Sequence, residues 1–139
     1  MKKILFFAFA LAVLASCNKD QAAVKKLDGS WTATAWSETD GGVTVDQIAL
    51  GFTASMLFDE CKLKTDEWCT GSLTAGFGGF SATEDLVWRV TGDGTTLETK
   101  DSLESSTISS STIVDLSKTT LILQEVSGTT TTDLTLTKN

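Results

Sequence analysis

Two hydrophobic patterns divide the chain. From Ile4 through Leu14 the apolar residues run without interruption, with Phe6, Phe7 and Phe9 among them. From about residue 30 onward, apolar residues are interleaved with Thr, Ser and charged residues. That is the period-two pattern of half-buried strands, and Thr favours such strands. Asp93-Gly94, Ser117-Lys118 and Ser127-Gly128 read as turns. A two-residue turn dictates which residues face each other. The first turn sets Val90 opposite Leu97, Trp88 opposite Thr99 and Arg89 opposite Glu98. The second sets Val114 opposite Leu121 and Thr112 opposite Leu123; the third sets Leu121 opposite Leu134, Leu123 opposite Thr132 and Thr119 opposite Leu136. One face then collects Val114, Leu121, Leu123, Leu134 and Leu136, and Ile113 faces Ile122 on the outer side.

The first half is coarser. Ser30 to Trp36 reads as a strand and Asp40-Gly41-Gly42 as a loop. Val45 to Leu50 suits a helical turn or a strand equally. Phe52 to Leu63 and Glu67 to Gly76 form the arms of a hairpin around Lys64-Thr65-Asp66, with Leu57 opposite Leu73 and Phe58 opposite Ser72. The pattern predicts eight strands, at 30–37, 52–63, 67–76, 86–91, 95–100, 107–116, 119–126 and 129–138. Short connections make the pairing sequential and antiparallel. A meander with one apolar face leaves two sticky edges unless it closes. The expected fold is therefore all-β, an eight-stranded up-and-down antiparallel barrel whose interior holds side chains or one small ligand.

The N-terminal run has a different meaning. Its eleven residues would rise only about 16 Å as a helix, half a bilayer core, and Met1-Lys2-Lys3 supplies a basic start. This is the pattern of an export signal. It ends in Leu14-Ala15-Ser16-Cys17, which resembles the bacterial lipobox. The resemblance implies cleavage after residue 16 and a diacylglycerol on the Cys17 thiol; the alternative is an ordinary signal followed by a chance Cys. The expected organisation is a signal at 1–16, a polar lipidated tether at 17–26 and a barrel domain at 27–139. With Lys2 and Lys3 gone, the net charge moves from −7 to −9. So acidic a surface repels nucleic acid and anionic lipid, so the membrane partner must be reached through the lipid. Asn18 rather than Asp follows Cys17, which by resemblance to lipoprotein sorting implies the outer membrane.

Of three cysteines, lipidation uses one and leaves Cys61 and Cys69. In an exported protein the default is a disulfide. A metal site is the rival reading, but with no His in the chain two thiolates would need further ligands of a kind it lacks.

Leu27-Asp28-Gly29-Ser30-Trp31 opens the first strand with Gly-x-Trp. Together with the cysteine hairpin and the segment Ile113-Val114-Asp115-Leu116 leading to Leu121-Ile122-Leu123, it resembles the lipocalin-like domains of bacterial lipoproteins. The resemblance implies that Trp31 plugs the closed end of a barrel and that Gly29 belongs to the same structural motif. Lipocalins stack an Arg of the last strand on that Trp. Here the sole Arg, Arg89, lies mid-chain and points toward Glu98, while Lys138 on the last strand is the residue that could cover Trp31 instead.

Catalysis finds little support. Without His, a Ser-His-Asp arrangement is impossible. Asp59-Glu60, Asp66-Glu67 and Glu84-Asp85 are adjacent pairs, which on a strand point to opposite faces. Gly76-Phe77-Gly78-Gly79-Phe80 lacks the Lys and the helix of a phosphate loop and reads as a strand end or bend. No enzyme, cofactor or metal is expected. The first functional expectation is a barrel binding a small apolar ligand, with Trp36, Trp88, Leu121, Leu123 and Leu134 as candidate lining residues. Trp36 and Trp88 are alternatively plain core. The second expectation is a module that docks another envelope protein through the outward Ile113 and Ile122. Trp68 beside Cys69 would offer a further outer contact if the cysteines face inward.

Overall fold

The computed structural model describes residues 18–62 and 67–139. A helix, α1 (Lys19–Leu27), precedes nine strands: β1 (Gly29–Asp40), β2 (Val43–Asp46), β3 (Phe52–Phe58), β4 (Cys69–Phe77), β5 (Phe80–Thr91), β6 (Thr96–Lys100), β7 (Ser109–Leu116), β8 (Thr120–Ser127) and β9 (Thr130–Lys138). Neighbours in sequence pair antiparallel, and β1 also pairs with β9. That pairing closes an eight-stranded barrel from which β2 projects as an extra strand on β1. The expected barrel is thus the observed one. The undecided 43–50 segment is both things in succession: strand to Asp46, then a turn closed by Leu50 N–H to Asp46 C=O.

Three registers show how the faces are set. At β5–β6 the pairs Val90–Leu97, Trp88–Thr99 and Arg89–Glu98 stand as expected. At β8–β9 Leu121 faces Leu136 and Leu123 faces Leu134, two residues from the expected register. A shift of two preserves the face, so all four leucines still point inward. At β7–β8 a bulge between Ile113 and Asp115 interrupts the ladder. The extra residue turns Ile113 inward, opposite Leu123, and leaves Val114 out. Ile113 is 9% exposed and Val114 56%, the reverse of the expected arrangement. Ile122 faces Asp115, so the expected outer Ile113–Ile122 pair does not exist.

The β3–β4 hairpin is corrected by one residue. Phe58 faces Gly71, Leu57 faces Ser72 and Met56 faces Leu73. Phe58 is consequently buried and Leu57 exposed. The strands also end sooner than expected, at Phe58 and Cys69, and the expected turn at Lys64-Thr65-Asp66 lies outside the described residues. Conversely, β4 and β5 extend past their expected ends to Phe77 and Phe80. Gly78 and Gly79 join them with φ of 59° and 90°. Two consecutive positive φ values define a tight hairpin turn that glycine enters without steric cost.

The largest correction concerns the expected 17–26 tether. From Lys19 it is helix. Asn18 caps it, its side-chain oxygen accepting from the backbone N–H groups of Asp20 (3.1 Å) and Gln21 (3.4 Å). Ala23 and Val24, four and three residues before Leu27, form with it the apolar stripe that buries against the barrel. This stripe is short and set among charged residues, which is why the segment reads as polar.

The helix closes one end of the barrel. Beneath it Trp31 is fully buried, and its indole N–H donates to the Leu27 carbonyl at 2.7 Å. The Lys138 ammonium lies 5.2 Å from the Trp31 ring centroid and donates to the Lys26 carbonyl at 3.1 Å. Gly29 has φ of 114°, and a Cβ there would stand 2.9 Å from the Lys138 Cε. Around this plug pack Phe58, Trp88, Leu97, Leu121 and Leu136. Trp88 meets Phe58 edge to face at 5.0 Å and donates its N–H to Thr70 C=O at 2.7 Å. Gly71 leaves room for both the Leu57 carbonyl and the Trp88 ring.

Trp31→Ala is expected to lower stability in urea by about 3–5 kcal/mol, the cost of emptying a large core site. Gly29→Ala is expected to lose about 1–3 kcal/mol, because its φ is one that other residues avoid. The backbone account predicts that most of the Gly29→Ala loss persists beside Lys138→Ala; a loss that vanishes there would trace the glycine to side-chain crowding instead.

Candidate functional site

The closed end is packed, so the opposite end is where a ligand could enter. The burial of the strands changes along their length. On β5, Val87, Trp88 and Val90 are buried, whereas Phe80 through Asp85 are exposed. The cause is β6, which is short and pairs only with Val87–Thr91. Above Val87 the inner face of the β4–β5 hairpin therefore opens to solvent. Phe77, Phe80, Ala75 and Ala82 sit on that inner face, as their register with Phe52, Ala54 and Leu73 requires.

These residues form an aromatic wall. Trp36 packs edge-on to Phe52 at 5.9 Å, and Phe52 meets Phe77 at 4.6 Å. An open, mainly apolar depression of about 520 Å³ lies along Phe52, Ala75, Phe77, Phe80 and Ala82. Phe80 is 83% exposed, a large aromatic offered to water at the tip. Val43, Leu50 and Val126 are exposed at the same end.

Carboxylates stand among the apolar groups. Glu38, Glu84 and Glu125 lie on strand positions that alternate with Trp36, Leu86 and Leu123, which places them on the inward face. Glu38 accepts from the Gln47 side chain at 3.0 Å. Among the described residues, none of the inward positions at this end is Lys or Arg. Thr99, Ser109 and Ser111 contribute hydroxyls from the β6–β7 side.

The candidate lining residues separate accordingly. Trp88, Leu121 and Leu123 are buried in the closed-end core and reach no opening. Trp36 and Leu134 face each other across β1 and β9, are half-buried, and border the open end. Phe52, Phe77 and Phe80 were not among the expected lining residues. The Gly78-Gly79 pair was the signal that could have found them, since a hairpin turn there brings Phe77 opposite Phe80.

The remaining expected sites are structural. Cys61 and Cys69 form a disulfide with Cα atoms 5.7 Å apart, at the closed end. Cys69 is buried, so Trp68 is on the outer face, half-buried. There the Arg89 guanidinium and the Lys100 ammonium each lie 4.5 Å from its ring centroid, and Arg89 pairs with Glu98. These contacts cover the ring. Cys17 lies outside the described residues.

Comparison with known proteins bears on that end of the chain. Residues 1–18 match the family model for the prokaryotic membrane lipoprotein lipid attachment site. No curated protein and no solved structure matches the chain. The chain is thus a lipid-anchored bacterial lipoprotein of the cell envelope, carrying a closed β-barrel.

The disulfide closes a short loop, with a sequence separation of 8. Loop-closure entropy gives it about 2–3 kcal/mol. Paired Cys61→Ser and Cys69→Ser changes are expected to lower the urea midpoint accordingly while the strand signal in circular dichroism persists. Unchanged stability would mean that the loop is already ordered in the unfolded chain.

Proposed function

We propose that this lipoprotein is a non-enzymatic binding module that takes a small apolar ligand into its open mouth. The observation that carries the reading is the aromatic wall at one end of the barrel, half-buried Trp36 and Phe52 leading to exposed Phe77 and Phe80, while the interior of the other end is filled by the core. Exposed aromatics cost solvation that a ligand would recover, at roughly 25 cal/mol per Å² of apolar surface covered. The resemblance to lipocalin-like domains supports the reading, carried by the closed eight-stranded meander, Gly29-x-Trp31 at its base, and Lys138 over Trp31 where lipocalins have an Arg. Asn18 after Cys17 supports placement in the outer membrane. The rival reading, docking through an outer Ile113–Ile122 patch, loses its premise with Ile113 buried.

The glutamates narrow the ligand. A carboxylate about 8 Å from a bound head group in water contributes about 0.5 kcal/mol, so Glu38, Glu84 and Glu125 together favour a cationic over an uncharged head by about tenfold at low salt. They disfavour an anionic head by a similar factor. Fatty acids are therefore poor candidates, and uncharged or amine-bearing amphiphiles good ones.

The test uses the mature chain with Cys17→Ser, titrated with dodecyltrimethylammonium, dodecanol and dodecanoate below their aggregation limits while tryptophan fluorescence is followed. Binding is expected in that order of affinity, with Phe77→Asp weakening the uncharged ligand at least about tenfold. No binding of any of the three would overturn the ligand reading. Tightest binding of dodecanoate would overturn the role given to the glutamates.

A further inference from the structure

We propose that the lysine-bearing side of α1 lies on the anionic headgroup layer of the membrane that holds the Cys17 lipid, so that the barrel stands base-down with its mouth turned away. The inference starts from the length of the attachment. Cys17 directly precedes Asn18, whose side chain is fixed as the helix cap. Consecutive Cα atoms stand about 3.8 Å apart, so the lipid is carried by the residue bonded directly to that cap.

The helix in turn is fixed to the barrel. Ala23, Val24 and Leu27 are buried. The Asp20 carboxylate accepts from Gly94 N–H at 2.6 Å, binding the first turn of α1 to the β5–β6 turn. The Lys26 ammonium donates to the Leu116 carbonyl at 3.3 Å, and Lys138 donates to the Lys26 carbonyl. Strands of β1 length rise about 3.3 Å per residue, so the mouth stands tens of ångströms from the lipid. A lipid held this close to the base brings the base, and not the mouth, first to the surface.

Charge acts in the same sense. The exposed residues of α1 are Lys19, Ala22, Lys25 and Lys26. Lys62, Lys118 and the Lys138 head lie at the same end, with Asp20, Asp28, Glu60, Asp93 and Asp115 interspersed. The base is therefore nearly balanced. Above the level of Val87 and its partner Lys100 the strands are not: they carry Glu38, Asp40, Asp46, Glu84, Asp85, Glu125 and Asp133, with no described Lys or Arg among them. Near an anionic surface such a molecule turns its balanced end inward and its acidic end outward. The lipid supplies the attachment, and the charge gradient supplies the orientation. This inference is independent of what the mouth binds.

The full lipidated protein allows a direct test. Cys17 is acylated and Cys61 and Cys69 are bonded to each other, so one introduced cysteine can be spin-labelled selectively. Ala22→Cys reports on the base and Ser127→Cys on the mouth. Each is placed in phosphatidylcholine vesicles with and without phosphatidylglycerol, and its collisions with a lipid-attached nickel chelate are measured. The Ala22 label is expected to meet the chelate at least about threefold more than the Ser127 label, since the mouth lies beyond the headgroup layer. Phosphatidylglycerol should widen the contrast, and Lys19→Gln with Lys25→Gln and Lys26→Gln should remove that widening. Equal collision at the two sites, or more at Ser127, would overturn the orientation. A widening that survives loss of the three lysines would overturn their role. Circular dichroism and urea unfolding of the triple variant check that the fold survives these changes, including loss of the Lys26 bond to Leu116.

Discussion

The architecture depends on how Trp31 is closed in. Strand pairing closes the meander, and a filled end is what keeps water out of its core. Here one indole fills the centre, one helix covers it and one lysine reaches over it. Each partner needs the others. The Trp31 N–H would be a buried, unpaired donor without the Leu27 carbonyl at the end of α1. The helix, at nine residues, is too short to persist in water alone and gains its stability from the apolar stripe it lays on the barrel. Gly29 keeps the first strand close enough for Lys138 to cross.

That closure divides the barrel into two regimes. At the base, large side chains with almost no exposure interlock, and their polar atoms find backbone partners. Toward the mouth β6 stops early, β5 loses its neighbour, and the same strand faces present aromatics and glutamates to water. The rigid base thereby frames an adaptable opening. The division also orders the molecule against its membrane, since the lipid is attached at the filled end and the acidic residues gather at the other.

Much of this was legible in the residues, for definable reasons. The barrel followed from turn spacing, and errors of two residues in register, as at Leu121 and Leu134, did no harm because a strand repeats every two residues. Errors of one residue did harm. The bulge beside Ile113 flipped a face, and a one-residue shift at the β3–β4 hairpin exchanged the partners of Leu57 and Phe58; neither leaves a mark in local composition. The helix α1 was missed because its apolar stripe is only three residues wide and lies among lysines. The candidate site was half legible. Of the five expected lining residues Trp36 and Leu134 border the opening, whereas Trp88, Leu121 and Leu123 are core; Phe52, Phe77 and Phe80 stay hidden as long as Gly78-Gly79 is read as a bend instead of a hairpin turn.

The central claim is that the base is sealed and the mouth is where a ligand is met. The four tryptophan indole N–H groups test it in one nuclear magnetic resonance spectrum, because they sit in four different settings. With an uncharged amphiphile added, the account predicts that the Trp36 signal moves. The signals of Trp31 and Trp88, bonded to Leu27 and Thr70, should stay in place and exchange slowly with deuterium. Movement of Trp31 or Trp88 with Trp36 unchanged, or rapid exchange at Trp31, would contradict it.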